Sequence, residues 1–155
     1  MRVALSYNLK RELPVASQDA VASGDGVVED DEPPLPPDFF AECDSMETVS
    51  AIQAALSRRH TVELIEANED AFERFRKSRP DIVFNVAEGI FGAARESHIP
   101  AMLEMLRIPY TGSDPLSLAI SLDKARTKEV LAWHGIPVPH TLLLSSVAEL
   151  ERIRR

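Results

Sequence analysis

The stretch 81–128 constrains this chain more than any other, because it reads without a break as strand, turn, helix, turn, helix. Residues 81–86 are a short apolar run of the kind that fills a buried strand. Ile99, Met102, Leu103 and Leu106 then recur at the spacing of one helical face. Pro100 fits that helix only in its first turn, so the pattern predicts a start near Ser97. Asp114 and Pro115 form a cap and first-turn pair for a second helix that would carry Leu116, Ala119 and Leu122 inward. A third is predicted over 124–133, stopped by Gly135 with Pro137 beyond, and Trp133 falls in its pattern as a packing residue.

The rest of the chain extends the alternation. Residues 2–6 and 61–66 read as strands, and 141–144 as a final one. Asp44 with Glu47 can cap a helix whose Val49, Ile52 and Leu56 share a face, and Asn68 a short one carrying Phe72 and Phe75, ended by Pro80. Strands separated by helices indicate βαβ units. The expected fold is α/β: a Rossmann-like, doubly wound, mainly parallel sheet with helices on both faces. The segment 14–39 breaks the pattern with an acidic run, Glu29 to Glu32, followed by four prolines, and is expected to be a mobile insertion, because it cannot offset its ordering entropy by burial. Ser146 and Glu149 open a last helix that meets no stop signal before Arg155, so the chain is expected to be a truncated single domain, 1–155.

Composition excludes several classes of function. The net charge is -8 with a sequence pI near 5.0, and no basic stripe is present, which argues against nucleic acid as a partner. No apolar run is long enough for a membrane span, and a cytoplasmic location is expected. The single Cys43 has no partner for a disulfide or zinc site, and the four histidines are scattered without ligand spacing.

The ordered set Phe84-Asn85, Glu88-Gly89, Leu103-Glu104, Pro109 to Ser113, Asp123-Lys124 and Thr127-Lys128 resembles the N-terminal, pre-ATP-grasp domain of D-alanine–D-alanine ligases of the ATP-grasp superfamily. The resemblance implies an ATP-dependent ligase that activates a carboxylate as an acyl phosphate and lets an amine attack it. It implies ATP and Mg2+ in the full-length enzyme but neither bound to this chain alone, since the ATP-grasp core is absent and no catalytic residue or metal ligand falls here. An amino-acid-like small molecule is the implied substrate and a homodimer a possible assembly. The truncated chain is expected to be inactive. Two other readings stay open: a stand-alone module binding an amino acid or nucleotide, and a protein whose acidic segment docks on a basic partner.

In parallel sheets ligands bind at the carboxyl ends of the strands, here the loops 7–12, 86–96 and 111–114. Neither G-x-G-x-x-G nor the P-loop occurs, so no self-contained phosphate cradle is encoded. By resemblance, Glu12, Glu88, Gly89, Arg95 and Ser113 are substrate-side residues and Lys124 reaches the nucleotide phosphates. Two departures matter. Tyr7-Asn8 replaces the family's Gly-Gly pair, which is expected to hinder close backbone approach. Glu88 replaces a family His, so the pocket should repel a substrate carboxylate there and welcome an ammonium or hydroxyl donor. Arg95 and Glu96 are adjacent and could form a charge pair at a helix start, and His98 is a weaker candidate for ligand contact.

Overall fold

The computed structural model describes residues 1–11, 40–144 and 146–153, so Glu12 and the acidic segment 14–39 lie outside the described residues. Three parallel strands, β1 (Arg2–Tyr7), β2 (Thr61–Glu66) and β3 (Ile82–Asn85), form a sheet in the order β2-β1-β3. The register sets Leu5 opposite Leu64 and Phe84, and Ala4 opposite Glu63 and Val83. Because side chains alternate across a strand, the central strand feeds two cores. Ala4, Ile65 and Val83 pack with Phe75 of α2 (Ala71–Ser78) and with Ile99 and Leu103 of α3 (His98–Leu106). Leu5 and Tyr7 pack on the opposite face with Val49 of α1 (Met46–Ser57). Helices therefore cover both faces, as the strand–helix alternation predicts.

Local chemistry sets most element ends. Ser45, not Asp44, caps α1, accepting from the Thr48 amide at 3.1 Å. Asp44 is unavailable because its own backbone is spent in a parallel bridge: its N–H donates to the Asn8 carbonyl and its carbonyl accepts from Lys10, both at 2.8 Å. Asn68 accepts from the Asp70 amide just ahead of α2, and Arg79 ends that helix in the left-handed region at φ 45°. A 3-10 turn, Arg95–Ser97, leads into α3, whose third residue is Pro100. Beyond α3, Tyr110 bridges Val83 along the outer edge of β3, and Gly112 turns the chain away at φ 104°.

Asp114 caps α4 (Pro115–Leu122) and Asp123 caps α5 (Lys124–Trp133), each accepting two backbone amides at 3.0 Å. The last helix, α6 (Val147–Ile153), opens at Ser146. Three expectations fail here. Leu116 is 69 % exposed rather than inward and Trp133 is 87 % exposed rather than packed, because α5 packs on α4 and neither helix buries any residue. Residues 141–144 form no strand: Leu142 to Leu144 are apolar, but no neighbouring strand among the described residues takes their backbone groups.

Candidate functional site

The chain leaves β1 toward α1 on one face and β3 toward α3 on the other, so a crevice opens between them at their carboxyl ends. Asn8 closes its floor. It is 1 % exposed, its Nδ2 donates to the Ala67 carbonyl at 3.0 Å and its Oδ1 accepts from the Gly89 amide at 2.8 Å. One side chain thus joins the loops that follow all three strands. The Asn8 amide thereby draws the Gly89 backbone in toward the end of β1.

Gly89 has a structural reason of its own. It lies at φ 72°, and a Cβ there would collide with the backbone carbonyl of Arg95. The loop 86–92 is consequently pressed onto the 3-10 turn, which fixes Arg95 beside Glu88. Arg95 does not pair with Glu96; its guanidinium takes Glu42, since sequential neighbours on a helical turn do not face each other. Glu42 arrives because the Asp44–Leu9 bridge ties the start of α1 to the end of β1.

Glu88 is partly buried and its carboxyl is pushed above the usual glutamate range, first by burial and then by Glu96 and Glu42, with Arg95 opposing and Asp44 adding to the rise. Burial, then Asp44, Glu42, Glu66 and Glu88, raise the Cys43 thiol, which leaves it protonated and a poor nucleophile at neutral pH. The α1 side of the rim is therefore acidic: Glu42, Asp44, Glu66 and Glu88 gather there, offset by Arg95 on Glu42 and by Arg11 on Glu66 at 3.5 Å.

The α3 side differs. A cleft of about 360 Å³ opens between the loop after β2 and the start of α3, with Arg11, Asn68, Glu69, Arg95 and His98 as polar lining and Ile90, Phe91 and Met102 as apolar wall. Gly89 and Arg95 line this cleft directly. Ser113 is exposed just before α4, and α4 packs on the 3-10 turn that carries Arg95. Lys124 is exposed on α5, where its Nζ donates to the Ser121 carbonyl within its own turn at 2.8 Å. The structure thus groups Glu88, Gly89 and Arg95, places Ser113 on the adjoining segment, and directs Lys124 onto local backbone.

Asn8, Glu42 and Phe91 were missed by sequence reasoning. A readable signal existed only for Asn8, a polar residue directly after the apolar run of a central strand. Glu42 and Phe91 carry no local signature.

With this geometry in place, the chain can be set beside the proteins it is similar to. It is 41 % identical over 99 residues to the D-alanine–D-alanine ligase of Moorella thermoacetica, covering 63 % of this chain and 31 % of that protein. Against the D-alanine–D-alanine ligase of Pelotomaculum thermopropionicum it is 34 % identical over 108 residues, covering 69 % and 33 %. An uncharacterised protein, y4sG, of Sinorhizobium fredii is 45 % identical over 73 residues, covering 44 % and 22 %. The chain spans about a third of the length of the first two relatives. A crystal structure of D-alanine–D-alanine ligase from Bacillus anthracis shares the fold at a TM-score of 0.60 and 21 % identity, covering 99 % of this chain and 42 % of that one. The same ligase complexed with ATP matches at a TM-score of 0.53 and 20 % identity, covering 99 % and 44 %. No protein-family model matches. The chain is D-alanine–D-alanine-ligase-like in sequence and has the α/β fold of those structures. No helix among the described residues is long and apolar enough to cross a membrane.

Proposed function

We propose that this chain is the substrate-side, N-terminal domain of an ATP-dependent carboxylate–amine ligase related to the D-alanine–D-alanine ligases. The observation that carries the reading is the Asn8–Gly89 hydrogen bond. It holds Glu88 and Arg95 at the carboxyl edge of the sheet, where the crevice of a doubly wound fold receives ligand. Similarity to ligases one third covered by this chain supports the class of reaction, and the Glu88 substitution separates the substrate from D-alanine.

The residues present do not fit a nucleotide–magnesium site. Among the described residues no group of three or more His, Cys, Asp or Glu side chains can hold a metal ion, and the sequence contains no glycine-rich phosphate loop. Lys124 alone does not make one. The contribution of this chain is binding and orientation: Arg95, anchored by Glu42, offers a fixed cationic edge to an acid, and Glu88 a carboxylate to an ammonium or hydroxyl group. Dimerisation through this domain belongs to the same proposal and is read by sedimentation equilibrium.

A chimera tests the reading. Replacing the matched third of the Moorella ligase by this chain should give a protein that releases ADP with a panel of amino acids, D-alanine being a poor one, while the 155-residue chain alone releases none. A folded chimera that binds ATP yet stays silent across the panel, or turnover by the chain alone, would sink it.

A further inference from the structure

The cleft on the α3 side has two chemically distinct halves. On its polar half stand two guanidiniums and an imidazole, Arg11, Arg95 and His98, with Glu69 in the lining and, behind it, Glu66 on Arg11 through one nitrogen at 3.5 Å. Glu42 engages Arg95 through one nitrogen, whereas a guanidinium presents five N–H donors, so the cation is held in place without being used up. Both helices that border the cleft begin there, α2 after Asn68 and Glu69 and α3 at His98, and neither receives a side-chain cap from its own N-cap residue, Asp70 or Ser97. The opposite half is apolar, built by Ile90, Phe91, Ile99 and Met102, and an unbranched thioether adapts to ligands of varied shape.

We propose that this cleft binds a small carboxylate with an apolar body of about four to six carbons, in keeping with pockets that pair an apolar wall with few placed polar groups. The carboxylate lies against Arg95 and Arg11, and the hydrocarbon against Phe91, Ile90 and Met102. The inference deepens the ligase reading and rests on it in one respect only, that the bound acid is the one to be joined. A three-carbon acid would leave most of the apolar wall wet. The acidic α1 side of the rim, with Glu88, then receives the amine or hydroxyl end of the substrate.

Amide NMR titrations of the 155-residue chain without ATP test binding directly, with 4-methylpentanoate, acetate, inorganic phosphate and 4-methylpentylammonium as probes. Saturable shifts are expected at Gly89, Ile90, Phe91 and Met102 with 4-methylpentanoate, with acetate weaker by roughly fourfold for each methylene it lacks in the cleft. Arg95→Gln should abolish the shifts. Phe91→Ala should weaken binding several-fold with the spectrum otherwise folded, since Phe91 is 68 % exposed. Equal binding of acetate or phosphate, binding of the ammonium probe instead, or no saturable shift up to the solubility limit overturns the proposal. Binding here together with a silent chimera would overturn the ligase reading and leave the cleft standing; an active chimera with no binding here would do the reverse.

Discussion

Two regions of this molecule are held by different forces. Every buried side chain among the described residues lies at or before Ile108, in the sheet, α1, α2, α3 and the turns between them. Between 115 and 153 three helices bury none, and Val130, Trp133, Leu142, Leu143 and Val147 are exposed. The first region is stabilised by apolar area removed from water. The second touches the first through α4 on the 3-10 turn without burying a residue, and otherwise rests on local devices: Asp114 and Asp123 as caps, Pro115 in the first turn, Gly135 as a stop at φ 72°. Caps specify where a helix begins but stabilise it weakly, and helices of eight to ten residues are marginal without tertiary packing. Capping and burial are thus separable, and only burial makes a cooperative unit.

Substitutions can break this contrast. Leu103→Ala, at a fully buried position, should cost about 3 kcal/mol in urea unfolding, whereas Leu142→Ala should change stability by less than about 0.5 kcal/mol. Equal costs would mean that the tail shares the core. Next in size, Asn8→Ala leaves the Ala67 carbonyl and Gly89 amide without their partner and should lower stability by about 2 kcal/mol, with the largest NMR shifts in the loop 86–92. Hydrogen exchange sharpens the comparison without mutation: amides of α4 and α5 should exchange through local opening, on the order of a hundredfold faster than those of β1. A single uniform protection level would erase the distinction.

The smallest effect expected is on pH dependence. The raised pKa of Glu88 means that the folded state holds its proton more tightly than the unfolded chain does. Its contribution is therefore complete below the ordinary glutamate pKa and is lost as pH rises through the folded value. Glu88→Gln should raise the thermal midpoint slightly at neutral pH and leave it unchanged in acid. A gain of the same size at both would show that the carboxyl is not perturbed.

Legibility followed range along the chain. The bounds of β2 and α5 match their sequence patterns, and Asp114 caps α4 as its pairing with Pro115 suggests, because strand runs and capping residues act within a few positions. Of the candidate site, Glu88, Gly89 and Arg95 were readable as neighbours in one loop. Their partners were not: Asn8 meets Gly89 across 81 positions and Arg95 meets Glu42 across 53, and nothing in either local segment marks the other. The run 141–144 shows the converse, a strand-like composition that stays unpaired among the described residues because pairing requires a neighbour that composition cannot supply.

By itself, then, the amino-acid sequence determined the alternation of strands and helices, most of their ends, and the two-faced burial of β1, since each follows from side-chain period and backbone chemistry a few residues wide. Tertiary structure alone decided that Asn8 stitches three loops together, that Glu42 rather than Glu96 anchors Arg95, and that an acidic rim and a cationic, apolar-walled cleft lie on opposite sides of one edge. Those outcomes depend on the sheet order β2-β1-β3, which brings distant segments to one rim, and hydrogen bonds and charges act over ångströms in space rather than positions in a chain.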